Sequence, residues 1–97
     1  MAELNETIHQ TVRLRIMAAL IMLEPTDEVD FTYLQDLLEV TPGNLGAHLR
    51  KLEDAGYIAV NKTFVERKPR TFVSATSEGR RVFQEHVAAL ESILKNK

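Results

Sequence analysis

The chain has no cysteine and no tryptophan, and only three prolines and four glycines among 97 residues. Without thiols it can form no disulfide, no thiolate metal site and no thiol redox couple. The longest uninterrupted apolar stretch, Ile16 to Leu23, is eight residues, far short of the ~20 that a membrane span needs. Met1 to Gln10 is polar and acidic, unlike the basic and then apolar opening of a secretory leader, so a cytoplasmic location is expected. Also missing are a glycine-rich nucleotide loop, an H-E-x-x-H helix and a nucleophile elbow. The three histidines, His9, His48 and His86, fall on separate predicted elements, and a metal shared between them has no thiolate to help hold it. No enzyme activity, cofactor or metal is expected.

What is present is the composition of a folded globule, 44% hydrophobic and 27% charged, too apolar for a disordered tail. The length suits one domain over residues 1–97. So short a chain buries only roughly 60–65% of its extended surface, and association with a second copy would supplement its stability. The net charge of −2 conceals an asymmetry. Residues 1–40 hold Arg13 and Arg15 against eight carboxylates, whereas residues 41–70 hold six bases against three carboxylates. An acidic third beside a basic centre is the pattern of a protein with one face for nucleic acid.

Hydrophobic spacing gives the elements. Glu6 to Leu23 reads as helix with a break near His9–Thr11, and its segment Ile16 to Leu23 is apolar all round, which requires burial on more than one side. Asp30 is an N-cap for a helix to Leu38, with Val29 and Leu34 as a hydrophobic staple and Leu34, Leu37 and Leu38 as the apolar stripe. Thr41-Pro42 is the clearest helix start, because threonine caps the free amides and proline presets φ at the first helical position. That helix carries Leu45, Leu49 and Leu52 inward, ends at Ala55, and has Gly56 as a left-handed cap. Asn44, Ala47, His48 and Lys51 are expected on its outer face. Tyr57 to Val65 alternates like a half-buried strand, Glu66-Arg67-Lys68-Pro69 reads as a turn, and Arg70 to Ala75 returns. Thr76 caps a last helix to about Lys95 with two apolar rows, one of Phe83, Val87, Leu90 and Leu94, the other of Val82, Ala89 and Ile93.

Helix, helix, helix, hairpin, helix is the order of an α+β, mainly helical winged helix-turn-helix: the helix pair at about 30–55, the wing at about 57–75. The residues that carry this order resemble a known class. The string L-Q-D-L-L-E-V-T-P-G-N-L-G-A-H-L-R-K-L-E-D-A-G-Y-I (Leu34 to Ile58) is similar to the core of compact prokaryotic winged-helix regulators of the MarR/ArsR-like class. Val12 to Met17, Arg67 to Phe72 and Thr76 to Arg80 resemble the same class's first long helix, wing and last-helix start. The resemblance runs over nearly the whole chain from about Ile8. It implies sequence-specific double-stranded DNA binding, with Thr41, Gly43, Asn44, Ala47, His48 and Lys51 of the second paired helix at the major groove. It also implies that Arg67, Lys68 and Arg70 of the wing reach phosphates or the minor groove. Gly46 stands where such proteins commonly carry serine.

The residue chemistry agrees with that expectation. Asn44 can read adenine bidentately, and His48 can donate to guanine or phosphate. Gly43 and Gly46 each cost roughly 1 kcal/mol in helix propensity relative to alanine, which close backbone approach to DNA would explain; tight packing of Gly46 on the preceding helix is the alternative. A homodimer is expected, with Ile8, Val12, Met17, Ile21, Val82, Ala89 and Ile93 of the first and last helices at its seam, about 6–23 and 77–95. A second class stays open, a winged helix that binds protein rather than DNA. No effector, operator or sign of regulation can be read.

Overall fold

The computed structural model describes residues 4–95, arranged as α1 (Glu6–His9), α2 (Thr11–Ile21), β1 (Val29–Asp30), α3 (Phe31–Leu38), α4 (Pro42–Asp54), β2 (Ile58–Val65), β3 (Lys68–Ala75) and α5 (Ser77–Lys95). The strands form one antiparallel sheet in the order β1-β3-β2. This is a winged helix, as expected. The break in the first helical stretch falls at Gln10, which is extended and whose side chain accepts the Arg13 amide at 3.0 Å, so that it ends α1 and caps α2.

Helix α2 is the hub of the core. Its Ile16, Met17 and Leu20 are fully buried, and α3, α4, α5 and β3 all pack against it. The chain's own elements thus cover one broad side of the apolar stretch, while Ala18 and Met22, the latter 88% exposed, remain on its open side. The expected dimer seam is corrected accordingly. Ile8, Met17, Val82 and Ala89 are buried within this chain, leaving no surface to offer a partner. Val12 and Ile21 are half-buried against the same core, and of the seven seam residues only Ile93 stands well exposed, at 57%. Leu37 also leaves its expected stripe, being exposed on α3 while Leu34 and Leu38 are buried.

The helix-turn-helix itself follows local chemistry. Asp30 caps α3 by accepting the Thr32 amide at 2.6 Å. Helix α3 ends at Glu39, which adopts a left-handed conformation (φ 55°) and donates its amide to the Gln35 carbonyl. Thr41 Oγ1 then accepts the Asn44 amide at 3.1 Å with Pro42 in the first turn. Helix α4 closes with both bonds of a Schellman cap, Gly56 N to the Glu53 carbonyl at 2.9 Å and Tyr57 N to the Leu52 carbonyl at 3.0 Å, and Gly56 supplies the required φ of 82°.

The wing is tighter than the expected four-residue turn. Val65 pairs with Lys68, so only Glu66 and Arg67 lie between the strands, both at positive φ, 52° and 68°. Two left-handed central residues define a type I′ hairpin, whose twist matches the flanking strands. Lys68 and Pro69 thus belong to β3, with Pro69 opposite Phe64. Proline is tolerated there because β1 pairs with β3 only at Phe72 and Val73, leaving the strand a free edge at residue 69.

Helix α5 begins against the end of α4. Thr76 donates Oγ1–H to the Gly56 carbonyl at 2.7 Å and accepts the Gly79 amide at 2.9 Å, while its own amide reaches the Tyr57 carbonyl at 3.0 Å. A Cβ on Gly79 would lie 2.0 Å from that carbonyl oxygen. Gly43 and Gly46 have nothing within 4 Å of such an atom, which removes packing on the preceding helix as the reason for Gly46. Gly79→Ala is therefore expected to destabilise the fold by about 3 kcal/mol, the upper range for overpacking. Gly46→Ala is expected to stabilise it by about 0.5–1 kcal/mol through helix propensity. Urea unfolding of the two variants beside the parent checks both signs.

Candidate nucleic-acid interface

Two elements define the face: α4 and the hairpin that follows it. Leu45, Leu49 and Leu52 anchor α4 in the core, and a helix pinned on one side presents the opposite stripe to solvent. That stripe is Gly43, Ala47, Arg50 and Asp54, all exposed, with Asn44 and Lys51 exposed beside it. In the first turn Pro42 has no amide hydrogen, Asn44 N is held by Thr41 Oγ1, and Leu45 N by the Thr41 carbonyl. Among the described residues this leaves the Gly43 amide without a protein acceptor. The anion-binding capacity of the helix N-terminus is thereby concentrated at one glycine with no side chain in the way.

His48 departs from expectation. It is half-buried rather than outward, and its Nδ1 lies 3.2 Å from the Arg13 guanidinium. A guanidinium can only donate, so Nδ1 accepts and the proton of the neutral ring sits on Nε2. Burial, and after it the Arg13 charge, push the His48 pKa below the ordinary histidine value. The Arg13 contact and the lowered pKa both favour the neutral ring, with its N–H at Nε2. Arg13 is itself tied to α1 by a hydrogen bond from Nε to the Thr7 carbonyl.

The pairing register sorts the wing's side chains into two sets. Ile58, Val60, Lys62 and Phe64 share one face with Ala75, Val73, Thr71 and Pro69. Burial of Ile58, Val73 and Ala75 marks this as the face turned to the helices. Lys68 and Arg70 belong to the other face, and Arg67 to the turn. Arg70 is already engaged, in an ion pair with Asp30. Burial opposes ionisation of Asp30, but the Thr32 amide and the Arg70 guanidinium outweigh it and hold the carboxyl below its usual range. Arg67 and Lys68 have no carboxylate partner among the described residues.

Between α4 and the wing runs an open groove of about 270 Å³, lined by Phe31, Gly46, Leu49, Arg50, Glu53, Val60, Lys62 and Thr71. Arg50 and Lys62 reach it from opposite walls, and neither makes an ion pair among the described residues. Sequence reasoning passed over both. The signals were available: Arg50 is three residues after Ala47 on the outward stripe, and Lys62 shares the parity of Ile58 and Val60. Among the described residues no group of three or more His, Cys, Asp or Glu could hold a metal, and no described helix is long and apolar enough to cross a membrane.

A family model described as a winged helix DNA-binding domain matches residues 12–94, a span that takes in α2 through nearly all of α5. The chain belongs to this winged helix DNA-binding family. It is 33% identical over 88 residues to an uncharacterized protein of Methanocaldococcus jannaschii, covering 91% of this chain and 92% of that one. Among solved structures, a transcriptional regulator homologue from Pyrococcus horikoshii superposes with a TM-score of 0.85 at 32% identity, over 95% of this chain and 88% of the other. A regulator assigned to the MarR family from Enterococcus faecalis superposes with a TM-score of 0.71 at 25% identity, over 93% and 74%. The family is one of DNA-binding domains, not of catalysts.

The Asp30–Arg70 pair makes a separable test of wing charge. Asp30→Asn keeps an oxygen to cap α3, so stability should fall by less than about 1 kcal/mol. It also releases Arg70 and removes a negative charge beside the wing. Tighter binding to any duplex, with a salt dependence steeper by about one unit of slope, is the expected outcome in fluorescence anisotropy at several salt concentrations.

Proposed function

We propose that this winged helix is a homodimeric transcription regulator that binds double-stranded DNA sequence-specifically, with α4 in the major groove and one sugar-phosphate strand lying between α4 and the wing. The observation that carries this reading is the placement of Arg50 and Lys62 on facing walls of one solvent-open groove, without ion-pair partners among the described residues. Two cations 12 residues apart in sequence, brought by the fold to one channel that also holds a single carboxylate, Glu53, suit a linear polyanion better than a solvated surface. Counterion release would supply affinity. Asn44, from the exposed flank of α4, would supply base reading. The neutral His48 N–H is a second donor, and Lys51 a phosphate contact. Thr41 serves the site by capping α4, Gly43 by its free amide, and Ala47 by leaving room for the helix to approach.

The wing contributes differently from expectation under this reading. Arg67 and Lys68 at the tip are free to meet phosphates or a minor groove, whereas Arg70 must first leave Asp30. Homodimerisation would use the far end of α5, where Ile93 and Leu94 are 57% and 68% exposed. Two reading helices about 34 Å apart would then match a pseudo-palindromic site. The neutralised Arg70 is also what a protein-binding winged helix would display, and that reading predicts no salt-dependent affinity for any duplex.

Selection of bound duplexes from a random library tests the proposal directly. A selected site with two-fold symmetry is expected; no enrichment, with no binding at low salt, would sink it. Arg50→Ala and Lys62→Ala should each weaken binding to all sequences and lower the salt slope by about one, while Asn44→Ala should relax base preference. Gly43→Ala should leave the fold as stable or more so, yet weaken DNA binding about tenfold or more by holding the backbone away from the phosphate.

A further inference from the structure

The first buried polar group outside the α4 face is His86, on α5, with no exposed surface at all. Its two ring nitrogens face α1. Nδ1 lies 3.0 Å from the Asn5 backbone N–H, and Nε2 lies 3.4 Å from Nδ1 of His9, the two rings meeting edge to face at 5.3 Å between centroids. A backbone amide can only donate, so His86 Nδ1 holds a lone pair and the single ring proton sits on Nε2, directed at His9. Asn5 is in turn the root of α1: its Oδ1 accepts the Ile8 amide, its carbonyl accepts the His9 amide, and its Nδ2 donates to the Tyr57 hydroxyl at 3.0 Å. A metal shared by the two imidazoles would need the lone pair of Nε2, which the Asn5 bond assigns to a proton.

We propose that His86 is an acid-released latch: protonation of its imidazole undocks α1 from α5 and from Tyr57. A second ring proton would turn Nδ1 into a donor facing a donor, so the anchoring bond would become a repulsion. The groups facing His86 offer no compensation. Among the described residues, its ring nitrogens meet the Asn5 amide and His9, whose Nδ1 can accept only the Nε2 proton already in place; Tyr57, at the foot of β2, contributes a hydroxyl through Asn5. Arg13 of α2 is a cation held by the Thr7 carbonyl, and on α5 the adjoining Glu85 is paired with Arg81. No carboxylate forms an ion pair with His86 or His9 among the described residues.

Burial, and then His9, hold the His86 pKa below the ordinary histidine value, so the detached segment takes up the proton before the docked one. Docking is therefore at full strength above about pH 6.5, the unperturbed value, and is lost as pH falls below it. The effect reaches the proposed DNA face, because Thr7 of α1 holds Arg13 and Arg13 holds His48 on α4. His48 obeys the same rule: its Nδ1 also accepts from an obligate donor.

Amide hydrogen exchange, read as protection factors to remove the intrinsic pH dependence, tests the latch without DNA and so independently of the proposed function. Between about pH 7.5 and pH 5.5, protection of Ile8 and His9 should fall roughly tenfold, one decade per unit below the pKa, while Leu45 and Val73 keep theirs. His86→Asn places an oxygen where Nδ1 stood and does not titrate, so protection should stay flat. His9→Ala removes the neighbouring ring whose coulombic effect lowers the His86 pKa, so the fall should persist and move to higher pH. Unchanged protection in the parent while the His86 ring titrates by NMR would overturn the proposal. So would the same fall in a folded His86→Asn variant. If that variant does not fold, the other two proteins decide: a fall abolished by His9→Ala refutes the latch.

Discussion

The contact on which the geometry of the binding face depends is the seating of α5 on the end of α4. The Tyr57 carbonyl receives the Thr76 amide and lies against Gly79, while Thr76 Oγ1 donates to the Gly56 carbonyl. These residues are the two roots of the wing: Gly56-Tyr57 leads into β2 and Thr76 follows β3. Holding them together fixes where the hairpin leaves the body, and therefore where Lys62 stands relative to Arg50. A hairpin alone is marginally stable in water. Here its base is clamped by two helices and its tip is free. The clamp thus fixes the backbone at the base of the wing, not the exposed side chains of Arg50 and Lys62.

Local chemistry was the legible part of the fold. Asp30, Thr41-Pro42, Gly56 and Thr76 are capping signals that act within three or four residues, and each occupies its expected place. The alternation from Ile58 and the leucine spacing of α4 likewise depend only on neighbours. Elements were therefore readable with little error. Less readable was the wing turn, because Glu66 and Arg67 take left-handed conformations without the glycine or asparagine that advertises them.

Burial was the illegible part. That Ile8 and His86 are core residues follows from α1 folding back across α5, a contact 81 residues apart in sequence, which no local pattern encodes. The same cause misassigned the seam. An apolar stretch says that several sides want cover, not what supplies it, and in this chain α2 buries Ile16, Met17 and Leu20 against its own neighbours while Ala18 and Met22 stay exposed. At the candidate site, Gly43, Asn44, Ala47 and Lys51 lie on the open side of α4 as their spacing implied. His48 and Arg70 are diverted by single partners, Arg13 and Asp30, that sequence distance conceals.

A protein of net charge −2 that is proposed to bind a polyanion needs a physical account of where attraction wins. At physiological salt the Debye length is about 8 Å, so the carboxylates of the acidic N-terminal third act on a duplex only where they come within that reach. The local balance at α4 is what matters. Its first turn offers the Gly43 amide and no carboxylate, whereas its last turn holds Glu53 and Asp54 beside Lys51, where the helix dipole is also negative. With the carboxylates of α4 confined to its last turn, partly offset there by Arg50 and Lys51, attraction would be least opposed at the N-terminus. On the wall opposite, Lys62 faces that gradient from the wing. Such an arrangement would orient a phosphate strand along the groove before any base is read, so that charge of both signs, and not a uniformly basic surface, would set the docking angle.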